Sequence, residues 1–226
     1  MQVIRLFDGV YRLDGRLATR NLVRGRSVYG ERLVEHEGVE YRLWNPYRSK
    51  LASAIINGLS ELGIKRGSKV LYLGAATGTT ASHVSDIVGK EGIVCCVEIA
   101  ERSMRELLKV CESRPNMLPV LQDARNVEAY ADAVKEYDVI YQDIAARDQA
   151  EILSVNAALL KEGGFAYVAI KSQSIDVARR PELVYREFMA SIEKRYDVLQ
   201  TLPLVPFTKM HLFAALRKKR EQGQAI

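Results

Sequence analysis

The chain has no long apolar run. Nothing approaches the roughly 18 consecutive apolar residues of a membrane-spanning helix. The opening MQVIRLFDGVYRLDGR carries charges throughout and lacks the apolar block of a secretory signal. Cysteine is scarce. The three present, Cys95, Cys96 and Cys111, have neither metal-ligand nor redox spacing, so no zinc site, redox pair or disulfide framework is expected. No internal repeat or low-complexity segment is visible, and neither is an RNA-binding module, an aromatic stacking platform or a dense basic groove. These absences predict a reduced, cytoplasmic protein.

The remaining composition is that of an ordinary globular protein. Apolar residues are 48% and charged residues 27% of 226, enough for a real core in one large α/β domain with a small appendage. Charge is unevenly spread. Residues 1–50 hold ten Lys/Arg against six Asp/Glu, and 217–226 hold four against one, while the total is only +5. The middle is therefore close to neutral. Basic ends suit a polyanion, or they are solvated faces and a frayed tail.

Residues 1–44 read as short β segments broken by Asp-Gly, Gly-Arg and Glu-Gly turns, with a hairpin at Glu37-Gly38. Asn45-Pro46 breaks the chain, which divides the molecule into a small antiparallel unit over 1–48 and a larger domain over 49–226. From Ser49 the pattern KLASAIINGLSELG has helical spacing and stops at Gly63. Seven apolar runs follow, KVLYLG, GIVCCVEI, NMLPVLQD, YDVIYQDI, GGFAYVAIK, YDVLQTLPL and HLFAALR, with helices expected near 80–88, 101–112, 126–135, 147–160 and 181–194. This alternation predicts a Rossmann-like α/β fold with a seven-stranded, mostly parallel sheet. The last two runs are too close for a helical crossover, so they form a hairpin that makes one edge strand antiparallel. That arrangement suits a class I methyltransferase rather than a dehydrogenase.

The most informative stretch is Val70-Leu71-Tyr72-Leu73-Gly74-Ala75-Ala76-Thr77-Gly78-Thr79-Thr80, followed by Cys96-Val97-Glu98. Strand, glycine turn, helix, strand and acid, with Glu98 24 residues after Gly74, is the order of a nucleoside site. Small side chains let a ligand approach the backbone, and the acid accepts ribose hydroxyls. Ala76 and Thr79 occupy two positions where a pyrophosphate cradle needs glycine. A nucleoside without phosphates, such as S-adenosylmethionine, suits the turn better.

Ligands in open α/β sheets bind outside the carboxyl ends of the strands, so polar residues that end apolar runs carry the interest. They are Glu98, Asp123, Asp143 and Lys171. Asp123 either meets an adenine amino group or caps the next helix. Asp143 falls where the strand order is expected to reverse, unless it too caps a helix. Lys171 ends an apolar strand, where an adjacent acid orients it, unless it snorkels to solvent. Lys50 and His211 are unremarkable taken singly. His83 reads as structural.

Taken together, WNPYRSKLASAI (44–55), VLYLGAATGTTASHVSDIVG (70–89), DVIYQDIAARDQA (138–150), GGFAYVAIKSQSID (163–176) and PFTKMHLFA (206–214) resemble the fibrillarin family of guide-RNA-directed 2′-O-methyltransferases, in its archaeal form without a Gly/Arg-rich extension. The resemblance implies S-adenosylmethionine as methyl donor and ribose 2′-hydroxyls of rRNA and tRNA as acceptors. It implies a catalytic set of Lys50, Asp143, Lys171 and His211. It implies a cofactor site lined by Gly74, Ala75, Thr79, Thr80, Glu98, Ile99, Asp123, Ala124, Asp143 and Gln149, and no metal. It also implies a box C/D guide RNA, a Nop-domain scaffold protein and a kink-turn-binding subunit as partners. The chain departs from the family pattern at Tyr141–Arg147, where Arg147 alters the rim, and at Met210, where an acid is common. Two rival readings are a small-molecule methyltransferase, which needs a lid that no spare sequence supplies, and a non-catalytic assembly subunit, which needs no lysine and aspartate at adjacent strand tips.

Overall fold

The computed structural model, which describes residues 1–220, divides its strands between two sheets. Five short strands, β1 (Val3–Phe7), β2 (Val10–Leu13), β3 (Arg16–Arg20), β4 (Leu33–His36) and β5 (Val39–Leu43), form an antiparallel sheet ordered β1-β2-β3-β5-β4. Two of its turns, Asp14-Gly15 and Glu37-Gly38, have both residues at positive φ (43° and 83°, 50° and 77°). This backbone matches the twist of a tight hairpin and selects for glycine in second place.

The second sheet alternates with helices: α1 (Lys50–Ile56), β6 (Lys69–Leu73), α2 (Thr79–Val88), β7 (Ile93–Glu98), α3 (Glu101–Cys111), β8 (Met117–Leu121), β9 (Tyr137–Gln142), α4 (Gln149–Asn156), β10 (Leu160–Lys171), α5 (Ser172–Ile175), α6 (Pro181–Ile192), β11 (Tyr196–Pro203) and β12 (His211–Lys218). The strand order is β11-β12-β10-β9-β6-β7-β8. All seven expected strands are present, and the parallel core with an antiparallel hairpin at one edge matches the expected fold. Within that hairpin β12 is the reversed strand. It sits between β11 and β10, antiparallel to both.

Two helix expectations fail. α1 stops at Ile56 rather than Gly63, because Asn57 and Gly58 (φ 96°) turn the chain out. Leu59 and Ile64 still bury, along an irregular segment. Residues 126–135 form only two short 3-10 turns, Val127–Ala129 and Ala131–Ala133. Here Tyr130 turns inward, its hydroxyl donating to Asn156 Oδ1 at 2.6 Å, with the Ala124 carbonyl 2.9 Å away.

The hydrophobic core runs across the boundary expected after residue 48. Val10, Leu17 and Trp44 of the first unit pack in one cluster with Leu51, Val84 and Val139 of the second. A buried polar network joins the same two units. The Asp86 carboxylate on α2 accepts from Arg42 and Arg114, each at 2.7 Å, from the Thr19 hydroxyl at 2.8 Å and from the Leu22 N–H at 3.0 Å. Because the Thr19 proton goes to Asp86, the hydroxyl accepts from His83 Nδ1 at 2.8 Å, and Tyr29 then donates to His83 Nε2 at 2.9 Å. His83 also stacks on Trp44, centroids 4.7 Å apart. Burial first, then Arg42 and Arg114, push the His83 pKa well below its usual range. The imidazole is neutral, and its role is structural, as the sequence suggested.

Two outcomes are expected in denaturant titrations. Asp86→Asn leaves buried Arg114 without a carboxylate and removes one of the two that Arg42 holds, and lowers stability by about 3–5 kcal/mol. His83 has a depressed folded pKa, so below about pH 6.5 the unfolded chain takes up a proton that the native state refuses. Stability falls with pH from that point by about 1.4 kcal/mol per unit until the folded value is reached. The difference between wild type and His83→Gln isolates this slope.

Candidate active site

The strand order reverses between β6 and β9, and the site is built on their carboxyl ends. β6 leads onward to β7 and β8 on one side, whereas β9 leads to β10 on the other. The connections diverge at this point and leave a crevice. Main-chain bonds carry the ladder to its lip, from Gly74 N–H to the Val97 carbonyl and from Asp143 N–H to the Leu73 carbonyl, both 2.9 Å.

Gly74 has φ 80°, and a Cβ there would stand 2.9 Å from the Asp143 carbonyl oxygen. Only glycine allows the two strand tips so close. Ala76 also adopts a left-handed φ of 48°, and its N–H donates to Glu98 Oε2 at 2.8 Å. Glu98 Oε1 accepts from the Ala100 N–H, also at 2.8 Å. The acid thus ties the turn to the tip of β7, and each oxygen keeps a second lone pair.

The cleft holds about 310 Å³, at the small end of ligand-binding cavities. Of the residues expected at the cofactor, Gly74, Glu98, Ile99, Asp123, Ala124 and Asp143 line it, and so does Lys171. Ala75, Thr79, Thr80 and Gln149 do not. Ala75 packs into the core. The Thr80 hydroxyl donates to Ser49 Oγ at 3.0 Å, under the N-terminus of α1. Thr79 opens onto a separate groove with Thr77 and Lys109. Gln149 is buried, with Nε2 donating to the Ala146 carbonyl and Oε1 accepting from the Lys171 N–H, so it braces the loop around the cleft. The sequence reading missed Ser103, Gln122 and Arg125. Arg125 reaches Asp123 at 3.1 Å and Asp148 at 2.7 Å. No spacing signal foretold that bridge, since residues 123 and 148 meet only through the fold.

The structure brings the four expected catalytic residues into one cluster. Lys50 Nζ donates to Asp143 Oδ2 at 2.9 Å. Lys171 Nζ lies 2.7 Å from Oδ1 but points its hydrogen bond at the Asp143 main-chain carbonyl, 2.9 Å away. Oδ1 therefore has a cation beside it and no aligned donor. All three side chains are largely covered, at 23%, 14% and 14% exposure for Lys50, Asp143 and Lys171. His211 pairs with Lys171 across β12 and β10. Its Nδ1 donates to the Lys209 carbonyl at 2.7 Å, and burial, then the charges of Lys50 and Lys171, lower its pKa although that bond opposes them. A neutral ring so oriented leaves Nε2 as an acceptor. Met210, at φ 57°, turns the chain just before it, and its carbonyl accepts from the Ser172 hydroxyl at 3.0 Å.

The strand order, the reversed strand near one edge and the nucleoside-type cleft define a Rossmann-like class I methyltransferase fold. The chain belongs to the fibrillarin family, whose model matches residues 2–220. It is 53% identical over 213 residues to a fibrillarin-like rRNA/tRNA 2′-O-methyltransferase of Methanopyrus kandleri, covering 91% of this chain and 92% of that one. Aeropyrum pernix fibrillarin, solved with natively bound S-adenosyl-L-methionine, matches with a TM-score of 0.88 at 44% identity, covering 96% of this chain and 98% of that one. A chain in a fibrillarin/Nop5p complex matches at 0.86 and 38% identity, covering 95% and 100%.

The left-handed turn at Gly74 gives a test of the geometry. Gly74→Ala should lower stability by about 1–3 kcal/mol, and the clash with the Asp143 carbonyl should displace the β9 tip. Thermal denaturation measures the first effect. A crystal structure of the variant with Asp143 unmoved would contradict the second.

Proposed function

We propose that this chain transfers a methyl group from S-adenosylmethionine to ribose 2′-hydroxyls of rRNA and tRNA, at nucleotides chosen by a box C/D guide RNA. The observation that carries the reading is the convergence of Lys50, Asp143, Lys171 and His211 at the lip of a nucleoside-sized cleft. Membership of the fibrillarin family supports the same acceptor.

The residues present fit the cofactor. Gly74, Glu98, Ile99, Asp123, Ala124 and Asp143 would hold it, with free lone pairs on Glu98 for ribose hydroxyls. Gln149 would act through the loop it braces. When bound, S-adenosylmethionine supplies a methyl made electrophilic by its sulfonium. The protein must then hold a weak nucleophile in line and manage its proton. Lys50 and Lys171 share one carboxylate, which leaves a net positive charge where an alkoxide develops. Lys171 contacts the 2′-oxygen and either, as an ammonium, stabilises the alkoxide or, having first released its own proton to solvent, takes the hydroxyl proton. Lys50 assists and holds the neighbouring phosphate. His211, neutral with Nε2 open, stands as a second proton acceptor.

Sequence selection comes from partners: the guide RNA, a Nop-domain scaffold and, through both, a kink-turn-binding subunit, in the cytoplasm. No helix among the described residues is long and apolar enough to cross a membrane. A purely structural subunit would have no need to cluster two lysines on one carboxylate.

In the assembled complex, Lys171→Ala should lower kcat by at least about 10²-fold while calorimetry finds S-adenosylmethionine affinity retained. Near-normal turnover would remove Lys171 from the chemistry.

A further inference from the structure

No stacking platform was legible in the sequence, yet the fold assembles one beside the lysines. Tyr47 lies in the 3-10 turn Pro46–Arg48, which ends at Ser49, the N-cap of α1, directly before Lys50. Phe207 lies in the loop that leads from β11 to His211. The two rings meet edge to face, centroids 5.1 Å apart at 76°. Tyr47 is nonetheless 67% exposed, so Phe207 covers only a small part of it.

The backbone that carries each ring is held in place. The Asn45 side chain accepts the Tyr47 N–H at 2.9 Å. Asn57, at the end of α1, donates to the carbonyls of Pro203 and Val205, each at 2.8 Å, and so ties the Phe207 loop down. An exposed aromatic with a fixed orientation binds a flat partner with little loss of conformational freedom. Beside it runs a groove of about 490 Å³ lined by Arg16, Tyr29, Arg32, Trp44, Tyr47 and Arg48. The Arg48 guanidinium sits over Tyr29, 5.0 Å from the ring centroid. Arg16, Arg32 and Arg48 form no ion pair among the described residues, and Glu31, the acid of this groove, is already bound to buried Arg42 at 2.6 Å. An open ring next to unpaired arginines complements a base with its phosphates.

We propose that the Tyr47–Phe207 pair is a stacking platform for a nucleobase of the acceptor RNA strand flanking the methylated nucleotide, with Arg16, Arg32 and Arg48 binding the adjoining phosphates. This rests on the RNA acceptor proposed above. It adds a contact that positions the acceptor independently of the cofactor.

The test uses the full complex of this chain, scaffold, kink-turn subunit and guide RNA, with 2-aminopurine placed in turn at acceptor positions flanking the target. Wild type should quench one of these probes. Tyr47→Ala should abolish the quench and raise KM for acceptor RNA about tenfold or more, with kcat at saturating RNA and S-adenosylmethionine affinity unchanged. Tyr47→Trp should restore both, and Phe207→Ala should show a weaker form of the defect. If Tyr47→Ala keeps the quench and the KM, the platform does not exist. If instead it fails to join the scaffold protein, the patch is a protein interface and the inference is equally wrong. A wild-type complex that labels no RNA overturns the acceptor reading and this inference with it.

Discussion

One carboxylate organises this molecule. Asp143 stands between two ammonium groups, and the three residues come from a helix N-terminus and two neighbouring strand ends. Two cations that share one acid are stable only if each is held where it is, because the pair alone leaves an excess positive charge half removed from water. The fold supplies that constraint from below. β9 and β10 are adjacent and parallel, which fixes Asp143 against Lys171, and β12 brings His211 opposite Lys171. Lys50 has no strand to hold it. It depends on the first turn of α1.

That dependence explains the buried network far from the cleft. Ser49 caps α1 and receives the hydroxyl of Thr80 on α2. Three residues further along α2, His83 stacks on Trp44, at the start of the segment that leads to Ser49. Asp86, one turn further, gathers Arg42 of β5, Arg114 and Thr19. The five-stranded sheet is thereby locked to α2, and α2 to the segment bearing Lys50. Buried ion pairs contribute little net stability, but each fixes a geometry, and here the geometry propagates to Lys50. The small sheet thus acts as a clamp on the site as well as an appendage.

The strands and their tips were legible because a buried parallel strand is a run of apolar residues with a polar end, and that signal is local. Glu98, Asp143 and Lys171 were found this way. Lys50 and His211 carried no such signal and were reached only through resemblance to a family. The extent of α1 was misread because Leu59, Leu62 and Ile64 keep a helical apolar spacing after Asn57 and Gly58 have already broken the helix. Thr79, Thr80 and Gln149 were assigned to the cleft because they lie in the right segments. Which way a helix turns its first residues, and what a buried amide braces, depends on partners such as Ser49 and Lys171 that are remote in sequence. The Arg125 bridge and the Tyr47–Phe207 pair were invisible for the same reason.

The distribution of positive charge follows a similar logic. The basic end over 217–226 read either as a polyanion contact or as a frayed, solvated tail. In the fold Arg217 pairs with Glu61 and stacks on Phe165, Lys218 donates to the carbonyls of Ala157 and Leu160, and Lys219 faces Asp197. Arg217, Lys218 and Lys219 thus tie β12 to its surroundings within the chain. The N-terminal excess behaves differently. Arg42 is consumed by the buried network, whereas Arg16, Arg32 and Arg48 form no ion pair among the described residues and line one groove. A modest formal charge of +5 is therefore not spread thinly over the surface. Part of it is concentrated in one groove, which gives weak attraction for a polyanion at large and stronger attraction at one place.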